Sequence, residues 1–216
     1  MSARHEAANV KDDTNGIDDV QILHVASEPA SRETTRYNVT YTSPISEHAL
    51  SVNCIDLPDL AAVIPYCRET RTIYLIEQVR PALFAKHGWK TDVELPAGFV
   101  DQGETPTEAA ARELEEETGF TSLQTTPLCE FVISPGFTGE KTSLFLALVE
   151  PQISTGYWFK TVDGEMLKIL EVKLEDVPAL LERNQIHNAL TCLAMNWCLA
   201  HVEVLDGTDV QRDGQF

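Results

Sequence analysis

Positive charge is scarce in this sequence. Its 216 residues include 16 Lys and Arg against 34 Asp and Glu, which gives a formal net charge of −18. Because such a surface repels the phosphates of nucleic acids and of anionic lipids, the composition argues against general nucleic-acid or membrane-surface binding. A small anionic substrate would therefore need a few locally placed arginines together with a metal ion.

Cysteine pairs and long apolar runs are also missing. The five cysteines are odd in number and contain no C-x-x-C pair, which predicts neither a disulfide framework nor a zinc site and favours a reducing, cytoplasmic compartment. No charged-then-apolar signal segment opens the sequence. No stretch approaches the roughly 18 consecutive apolar residues of a membrane helix, so we expect no membrane partner.

Changes of composition along the chain predict four segments. Residues 1–17 are polar and aperiodic, which is typical of a flexible terminus. Residues 18–57 contain three short segments rich in β-branched and aromatic residues, which predict an N-terminal antiparallel β-subdomain. Residues 58–205 hold the longer apolar segments of the main domain, and residues 206–216 form a polar tail.

Predicted strands and helices alternate irregularly in the main domain. We expect strands at 61–67, 72–80, 93–100, 128–134, 142–150 and 166–174, helices at 106–118, 175–184 and 186–202, and a loop at 81–92. Some of these strands are almost continuously apolar, as strands of a sheet covered on both faces are. The pattern predicts an α+β or α/β sandwich with a mixed sheet.

The helix at 106–118 has both of its ends specified. Thr105 is a suitable N-cap, Pro106 suits the first helical position, and Glu108 stands three residues after the cap, which completes a capping box. The residues that follow are mostly good helix formers, and Gly119 is suited to a left-handed C-cap.

This helix carries carboxylates where local electrostatics disfavours them. Glu113, Glu116 and Glu117 share one face at i, i+3 and i+4. They repel one another and lie toward the negative end of the helix dipole, at a cost of a few tenths to about 1 kcal/mol each. A bound Mg²⁺ or Mn²⁺ would reverse this cost, because both ions prefer carboxylate oxygens. The alternative is an acidic, solvated helix face.

The whole stretch 98–120, GFVDQGETPTEAAARELEEETGF, resembles the Nudix hydrolase signature. That signature is a glycine, five residues, a glutamate, seven residues and then R-E-apolar-x-E-E-x-G-apolar, and every specified position matches without a gap. The segments 78–81 (QVRP), 94–98 (ELPAG) and 134–141 (SPGFTGEK) are similar to the ADP-ribose pyrophosphatase branch of the family. In that branch a proline where Pro135 stands, fifteen residues after the signature, marks ADP-ribose hydrolysis.

The resemblance implies a fold, a reaction and a metal. The fold is the Nudix fold, in which a mixed sheet lies between helices in an α/β/α sandwich. The reaction is Mg²⁺-dependent hydrolysis of ADP-ribose to AMP and ribose 5-phosphate, with Mn²⁺ as the alternative metal. By resemblance, the metal ligands are the backbone carbonyl of Ala97 and the carboxylates of Glu113, Glu116 and Glu117. The resemblance also implies a homodimer, to which the N-terminal subdomain would contribute. The alternative is that this subdomain only covers the core as a lid.

Three residues receive catalytic roles from the same resemblance. Glu116 lies in the carboxylate cluster, and Glu140 lies in the loop where this branch carries an acid that positions or deprotonates water. Arg112 would orient the carboxylates. From the residues alone, a loop acid such as Glu140 is more often simply solvated. Arg112 would also form a surface i,i+4 pair with Glu116 or Glu108, a role that does not exclude the first.

Three further residues are expected to bind the substrate. Arg80 ends a strand and would bind a phosphate through its planar fork, and Glu94 would contact the substrate or a nearby water molecule. Phe137 is the first candidate for stacking on the adenine, with Trp89 and the pair at 157–158 as alternatives. Aromatic residues are, however, more often core or interface residues.

The substrate is less specified than the chemistry. Thirteen residues separate Arg80 from Glu94, and the beginning of that segment, RPALFA, resembles Nudix enzymes that cleave UDP-sugars. A UDP- or GDP-sugar is therefore the alternative to ADP-ribose. A non-catalytic Nudix ligand-binding protein is a further alternative, against which the complete set of signature carboxylates argues.

Overall fold

The computed structural model describes residues 21–29, 34–42, 48–152, 156–161 and 164–208. The flexible terminus predicted at 1–17 lies outside these residues, and so does most of the polar tail predicted at 206–216. The chain divides into two units. One comprises the residues up to Leu57 together with Ser134–Glu140, and the other comprises Pro58–Ile133 together with the chain from Lys141 onward.

The first unit is a three-stranded antiparallel sheet. Its strands are β1 (Gln21–Pro29), β2 (Thr35–Thr42) and β3 (Leu50–Asp56), in the order β1-β2-β3. The loop 134–140 belongs to this unit, and the Ile55 N–H donates to the Phe137 carbonyl at 2.9 Å. The three short segments rich in β-branched residues thus form an antiparallel sheet, as the sequence predicts.

The second unit is built on one mixed sheet. Its strands are β4 (Leu60–Cys67), β5 (Thr72–Val79), β6 (Thr91–Glu94), β7 (Ala97–Phe99), β8 (Gln124–Phe131), β9 (Thr142–Leu148), β10 (Phe159–Lys160) and β11 (Met166–Lys173). Its helices are α1 (Pro81–His87), α2 (Pro106–Thr118), α3 (Val177–Glu182), α4 (Ala189–Ala200) and α5 (Val202–Leu205), with a short 3₁₀ helix at Leu174–Asp176. None of the described helices has the length and apolar character of a membrane span.

Strand β4 lies inside this sheet and belongs to two cores. The sheet order is β10-β11-β5-β4-β9-β8, with β6 paired to β5 and β7 paired to β4, and the β4–β9 pair is parallel. On β4, Ala62, Ile64 and Tyr66 contribute to the core that α4 covers, whereas Ala61 and Val63 contribute to the core that α2 covers. The predicted α+β sandwich around a mixed sheet is therefore confirmed.

The segment 81–92, predicted as a loop, contains helix α1 and the first two residues of β6. That prediction was wrong, although local signals for a helix are present. Pro81 stands at the first helical position, and Gly88 ends the helix in the left-handed region at φ 77°. The helix has seven residues and buries none of them, so no apolar periodicity marks it.

The single strand predicted at 93–100 is interrupted. Pro96, which has no N–H to donate, stands between β6 and β7. The two strands pair with different neighbours, β6 with β5 and β7 with β4. At this interruption the chain changes its pairing partner from β5 to β4, before α2 begins. The two-residue strand β10 was not predicted, because so short a segment carries no pattern.

The predicted capping box of α2 is present and can be tested at Thr105. The Glu108 N–H donates to Thr105 Oγ1 at 3.3 Å, and the Thr105 N–H donates to Glu108 Oε2 at 2.8 Å. Because Thr105→Ala removes the first of these bonds, we expect urea unfolding to show a loss of about 1 kcal/mol in the free energy of unfolding. Thr107→Ala changes an exposed threonine inside the same helix and should stay within about 0.5 kcal/mol. Equal losses in the two variants would contradict the capping role.

Candidate active site

The acidic face of helix α2 packs against strand β7 and forms a hydrogen bond with its backbone. Ala110 and Leu114 are 0 % and 1 % exposed in the core, which sets the rotation of the helix about its axis. Glu117 is also buried, and its Oε2 accepts a hydrogen bond from the Ala97 N–H at 2.9 Å. The last turn of α2 and the backbone of β7 therefore hold each other in place.

Gly98 lets the backbone of β7 approach Glu113. A Cβ atom at residue 98 would lie 1.9 Å from Glu113 Oε1 and 2.2 Å from the carboxyl carbon, much closer than any real contact. Glycine therefore leaves the room that the carboxylate occupies, because it has no Cβ. This close approach explains why the motif has a glycine at residue 98 where the chain faces Glu113.

Arg112 bridges three carboxylates with one guanidinium group. Its Nε and Nη2 donate to the two oxygens of Glu104 at 2.9 and 3.0 Å, and its Nη1 donates to Glu113 at 2.6 Å and to Glu116 at 3.1 Å. Nη2 also donates to the Phe99 carbonyl at 2.9 Å. The Glu104 carboxylate raises the pKa of Arg112, and Arg112 in turn lowers the pKa of Glu104.

The two inner carboxylates have raised pKa values. The pKa of Glu117 is raised to about 9, first by burial and then by the negative charges of Glu113 and Glu165, against the opposing hydrogen bond from the Ala97 N–H. Burial also raises the pKa of Glu113, although its ion pair with Arg112 lowers it. Two carboxylates with so little access to water are costly to ionise unless a further positive charge joins them.

Glu116 stands at the rim of this cluster. Its side chain is 41 % exposed, whereas that of Glu113 is 13 % exposed. The predicted ligands Ala97, Glu113, Glu116 and Glu117 thus lie along α2 and the facing strand β7, with two of the carboxylates paired to Arg112. In the part of the chain that the structure describes, no group of three His, Cys, Asp or Glu side chains has the arrangement that holds a metal ion.

A second ion pair joins Arg80 to Glu94. Arg80 directly follows β5, and its Nε and Nη2 donate to the two oxygens of Glu94, both at 2.6 Å. Glu94 ends β6 and is buried, whereas the Arg80 side chain is 41 % exposed. Glu94 raises the pKa of Arg80, and the negative charges of Glu165 and Glu117 add to this effect. The charges of Arg80 and of Glu117 on α2 therefore act on each other.

Two residues near these charged groups are not predicted from the sequence. Glu165 lies just before β11, and its charge raises the pKa of both Glu113 and Glu117. Asn188 caps α4, and its Nδ2 donates to Glu94 Oε2 at 3.1 Å. An Asn before an apolar segment signals the start of a helix but not a site. Glu165 has no distinguishing signal in the sequence, because a single loop acid is usually solvated.

Two predicted site residues belong to the loop 134–140 of the first unit. Phe137 is 51 % exposed there. Glu140 is half-buried, and its Oε2 has no hydrogen-bond partner within the described ranges. Among the other aromatic candidates, Trp89 of the second unit stacks on His187 with the ring centroids 4.1 Å apart.

Known proteins are similar to this chain in sequence and in fold. A family model described as a NUDIX domain matches residues 57–192. An ADP-ribose pyrophosphatase of Bacillus subtilis is 36 % identical over 141 residues, which are 65 % of this chain and 71 % of the relative. A GDP-mannose pyrophosphatase of Citrobacter koseri is 28 % identical over 138 residues, which are 63 % of this chain and 71 % of the relative. A crystal structure of an ADP compounds hydrolase, 20 % identical, superposes with a TM-score of 0.70 over 91 % of this chain and 100 % of that one.

The matched residues make up more than half of the chain, and their motif is complete. The chain belongs to the Nudix family and is a Nudix hydrolase. Within the family it is similar to the ADP-ribose pyrophosphatases, as the segments that flank the 98–120 motif indicate. The solved structure shows that the fold is shared as well.

The residues of the site suit the divalent metal ions that Nudix hydrolases generally use. Glu113 and Glu117 are acids with little exposure and raised pKa values, so their ionised forms lack sufficient positive charge nearby. Carboxylate oxygens are the ligands that hard divalent cations prefer. The donor set therefore fits such a cation without specifying which one.

The raised pKa of Glu117 predicts the sign of a pH effect on stability. Its folded value of about 9 exceeds the ordinary value of 4.5, so its contribution is fully present below pH 4.5 and is lost as the pH rises toward 9. Glu117→Gln keeps an oxygen for the Ala97 N–H and removes the ionisable group. In metal-free protein at about pH 7.5 we expect urea unfolding to show a gain of about 1–2 kcal/mol, which shrinks as the pH is lowered.

Glu116→Gln is the matched control for this measurement. Its side chain lies on the same helix, but it is 41 % exposed and loses only a surface ion pair with Arg112. We expect its free energy of unfolding to change by less than about 0.5 kcal/mol at any pH. If the two glutamine variants had the same pH profile, burial of Glu117 would not be the cause.

Proposed function

We propose that this Nudix hydrolase cleaves the diphosphate of ADP-ribose with the help of Mg²⁺ and releases AMP and ribose 5-phosphate. The observation that carries the proposal is the poorly exposed pair Glu113 and Glu117, of which Glu117 is near enough to the cationic Arg80 for each charge to shift the pKa of the other. The acids suit a metal, and the arginine suits a phosphate of the same substrate. Similarity to ADP-ribose pyrophosphatases supports the choice of substrate.

The proposed metal ligands are Glu113, Glu116, Glu117 and the backbone carbonyl of Ala97. When bound, the cation would supply positive charge against the phosphate oxygens and make a water molecule more acidic. Arg112 already bridges Glu113 and Glu116, so it would hold these carboxylates near their positions before a cation binds. The Arg112 charge also lowers the pKa of Glu113, against the larger raising effect of burial.

The proposed reaction consumes one water molecule for each substrate cleaved. The water oxygen forms a bond to one phosphorus, the bridging P–O bond breaks, and the released proton passes to a carboxylate. Arg80 would bind a phosphate through the part of its guanidinium that Glu94 leaves free. Phe137 is proposed to stack on the adenine, and its exposed ring supports this role.

Two acids are candidates for accepting the proton. Glu140 is proposed from its place in the segment SPGFTGEK, and its unpartnered Oε2 among the described residues supports the role. Glu165 is favoured by a different observation, because its charge acts on Glu113, Glu117 and Arg80 together. The two acids can be separated by experiment.

A GDP- or UDP-sugar is the alternative substrate. One relative is itself a GDP-mannose pyrophosphatase. The thirteen residues between Arg80 and Glu94 also contain the seven-residue helix α1, which follows directly after the proposed phosphate-binding arginine. The hydrolytic chemistry is the same for either substrate.

A panel of substrates tests the proposal. With Mg²⁺ or Mn²⁺, we expect faster release of AMP and ribose 5-phosphate from ADP-ribose than cleavage of UDP-glucose or GDP-mannose, as measured by chromatography of the products. A chelator should abolish turnover. Faster cleavage of either sugar nucleotide would reject ADP-ribose as the preferred substrate, and binding without metal-dependent turnover would indicate a non-catalytic Nudix protein.

Variants then test the assigned roles. Glu116→Gln should lower kcat by roughly a hundredfold or more at saturating metal, with little change in unfolding. Glu140→Gln and Glu165→Gln are compared over a range of pH, and the variant that removes the proton acceptor should lose the acidic limb of the kcat profile. Full activity of Glu116→Gln at saturating metal would mean that the site assignment is wrong.

We further propose that the protein is a cytoplasmic homodimer. Its five free cysteines support a reducing compartment. For the dimer, the support is an apolar face on the sheet of the first unit. Two rows of aligned apolar side chains cross its strands, namely Ile22–Tyr41–Leu50 and Val25–Val39–Val52. Because Ile22 is 54 % exposed and Val52 is 37 % exposed, burial of this face against a second copy would stabilise the pair.

Two neighbouring substitutions on β3 test the dimer. Val52→Asp puts a charge on the apolar face, whereas Ser51→Asp puts the same charge on the opposite face, where the Ser51 and Thr40 hydroxyls are 2.8 Å apart. Light scattering should give the mass of two chains for the wild type and Ser51→Asp, and of one chain for Val52→Asp. A wild-type mass of one chain would refute the proposed dimer.

A further inference from the structure

The beginning of helix α4 contacts strand β6 through polar groups. Asp92 and Glu94 are alternate residues of β6, so they point to the same side, and they are 5 % and 6 % exposed. The His187 N–H donates to Asp92 Oδ1 at 3.3 Å, and Asn188 Nδ2 donates to Glu94 Oε2 at 3.1 Å. Two consecutive residues before α4 therefore reach two buried carboxylates of one strand.

Asn188 uses both ends of its side-chain amide. Its Oδ1 accepts hydrogen bonds from the Thr191 N–H at 3.0 Å and from the Thr191 hydroxyl at 3.2 Å, while its Nδ2 donates to Glu94. Thr191 is fully buried, and its Oγ1 accepts a hydrogen bond from the Leu95 N–H at 3.0 Å. The first turn of α4 therefore fixes the side chain of Glu94 and the backbone of the residue that follows it.

Helix capping explains only half of this geometry. Ser, Thr or Asp at residue 188 would also cap α4, because the cap needs only a side-chain acceptor. The donor Nδ2 serves a different group, the buried carboxylate of Glu94. That carboxylate accepts two bonds from Arg80 at 2.6 Å, and the third bond from Asn188 opposes rotation of the carboxylate about its last torsion.

We infer that Asn188 is a positioning residue for substrate binding, which holds Glu94 so that the guanidinium of Arg80 is kept in the orientation that meets a substrate phosphate. This inference rests on the proposed function of Arg80. Because Asn188 acts through Glu94, its loss weakens phosphate binding in the ground state and in the transition state alike. The expected signature is a change in KM with little change in kcat.

Two substitutions separate positioning from capping. Asn188→Ser keeps an acceptor for the Thr191 N–H but has no group that reaches Glu94. Asn188→Asp keeps the acceptor and places a carboxylate against Glu94, which disfavours the ionised pair. For both variants we expect KM for the best substrate of the panel to rise roughly tenfold, as for the loss of one charge-assisted hydrogen bond, while kcat falls by less than about threefold.

A second readout does not depend on activity. In ¹⁵N-labelled protein the Arg80 Nε–H should give a resonance protected from exchange, because it donates to Glu94 at 2.6 Å, and Arg80→Lys assigns it. Both Asn188 variants should broaden or lose this resonance. The Arg112 Nε–H, which donates to Glu104, is the internal control and should be unchanged.

Asn196→Ser is the matched control on the same helix. Its Nδ2 donates to the Cys192 carbonyl at the exposed side of α4, so this substitution should change neither KM nor the Arg80 resonance. If Asn188→Asp does not fold, Asn188→Ser gives the same two readouts without a new charge.

The outcomes are distinct. An unchanged Arg80 resonance in Asn188→Ser overturns the inference, whether or not KM changes, and so does an unchanged KM in an active enzyme. If the wild type cleaves no substrate of the panel, the proposed function fails. In that case the role in substrate binding fails with it, and the Arg80 resonance decides only whether Asn188 holds the Glu94–Arg80 pair: its loss supports this structural part, and its persistence refutes it.

Discussion

Burial of the Glu113 and Glu117 carboxylates against the backbone of β7 is the constraint on which the site depends. It requires a glycine at residue 98, because any Cβ there would occupy the space of the Glu113 carboxylate. The cost of removing these carboxylates from water is partly offset by hydrogen bonds, from Arg112 to Glu113 and from the Ala97 N–H to Glu117. The remaining deficit of positive charge appears as the raised pKa of Glu117. A cost of this kind, concentrated at one place, is typical of a functional site.

Glu94 is also a buried carboxylate, but its burial is compensated in a different way. This buried carboxylate accepts two hydrogen bonds from Arg80 and one from Asn188, so protein groups already supply its partners. The contrast separates the two halves of the proposed site. Glu113 and Glu117 are short of positive charge and suit a cation, whereas Glu94 is satisfied and presents the remaining edge of Arg80 to an anion.

Sequence signals of a few residues predicted the features that depend on interactions within a few residues, such as the ends of α2. Thr105, Glu108 and Gly119 specify the ends of α2 through bonds within a few residues, and the structure has these bonds. Helix α1 shows the limit of such signals. Pro81 and Gly88 mark its ends as clearly, but with no buried residue between them the segment lacks the periodicity that distinguishes a helix from a loop.

The sequence by itself determined the family, the carboxylate face of α2 and the mixed sheet, because motif spacing, helix geometry and apolar patterning are properties of short segments. Only the tertiary structure decided that Glu94 meets Asn188 across 94 residues of chain, and that Glu165 adds its charge to the cluster. Both interactions join residues that are far apart in sequence, and they depend on how the chain packs β6, the start of α4 and the segment before β11. No local sequence pattern predicts such packing, because an Asn caps a helix in the same way whether or not its amide also reaches a buried acid.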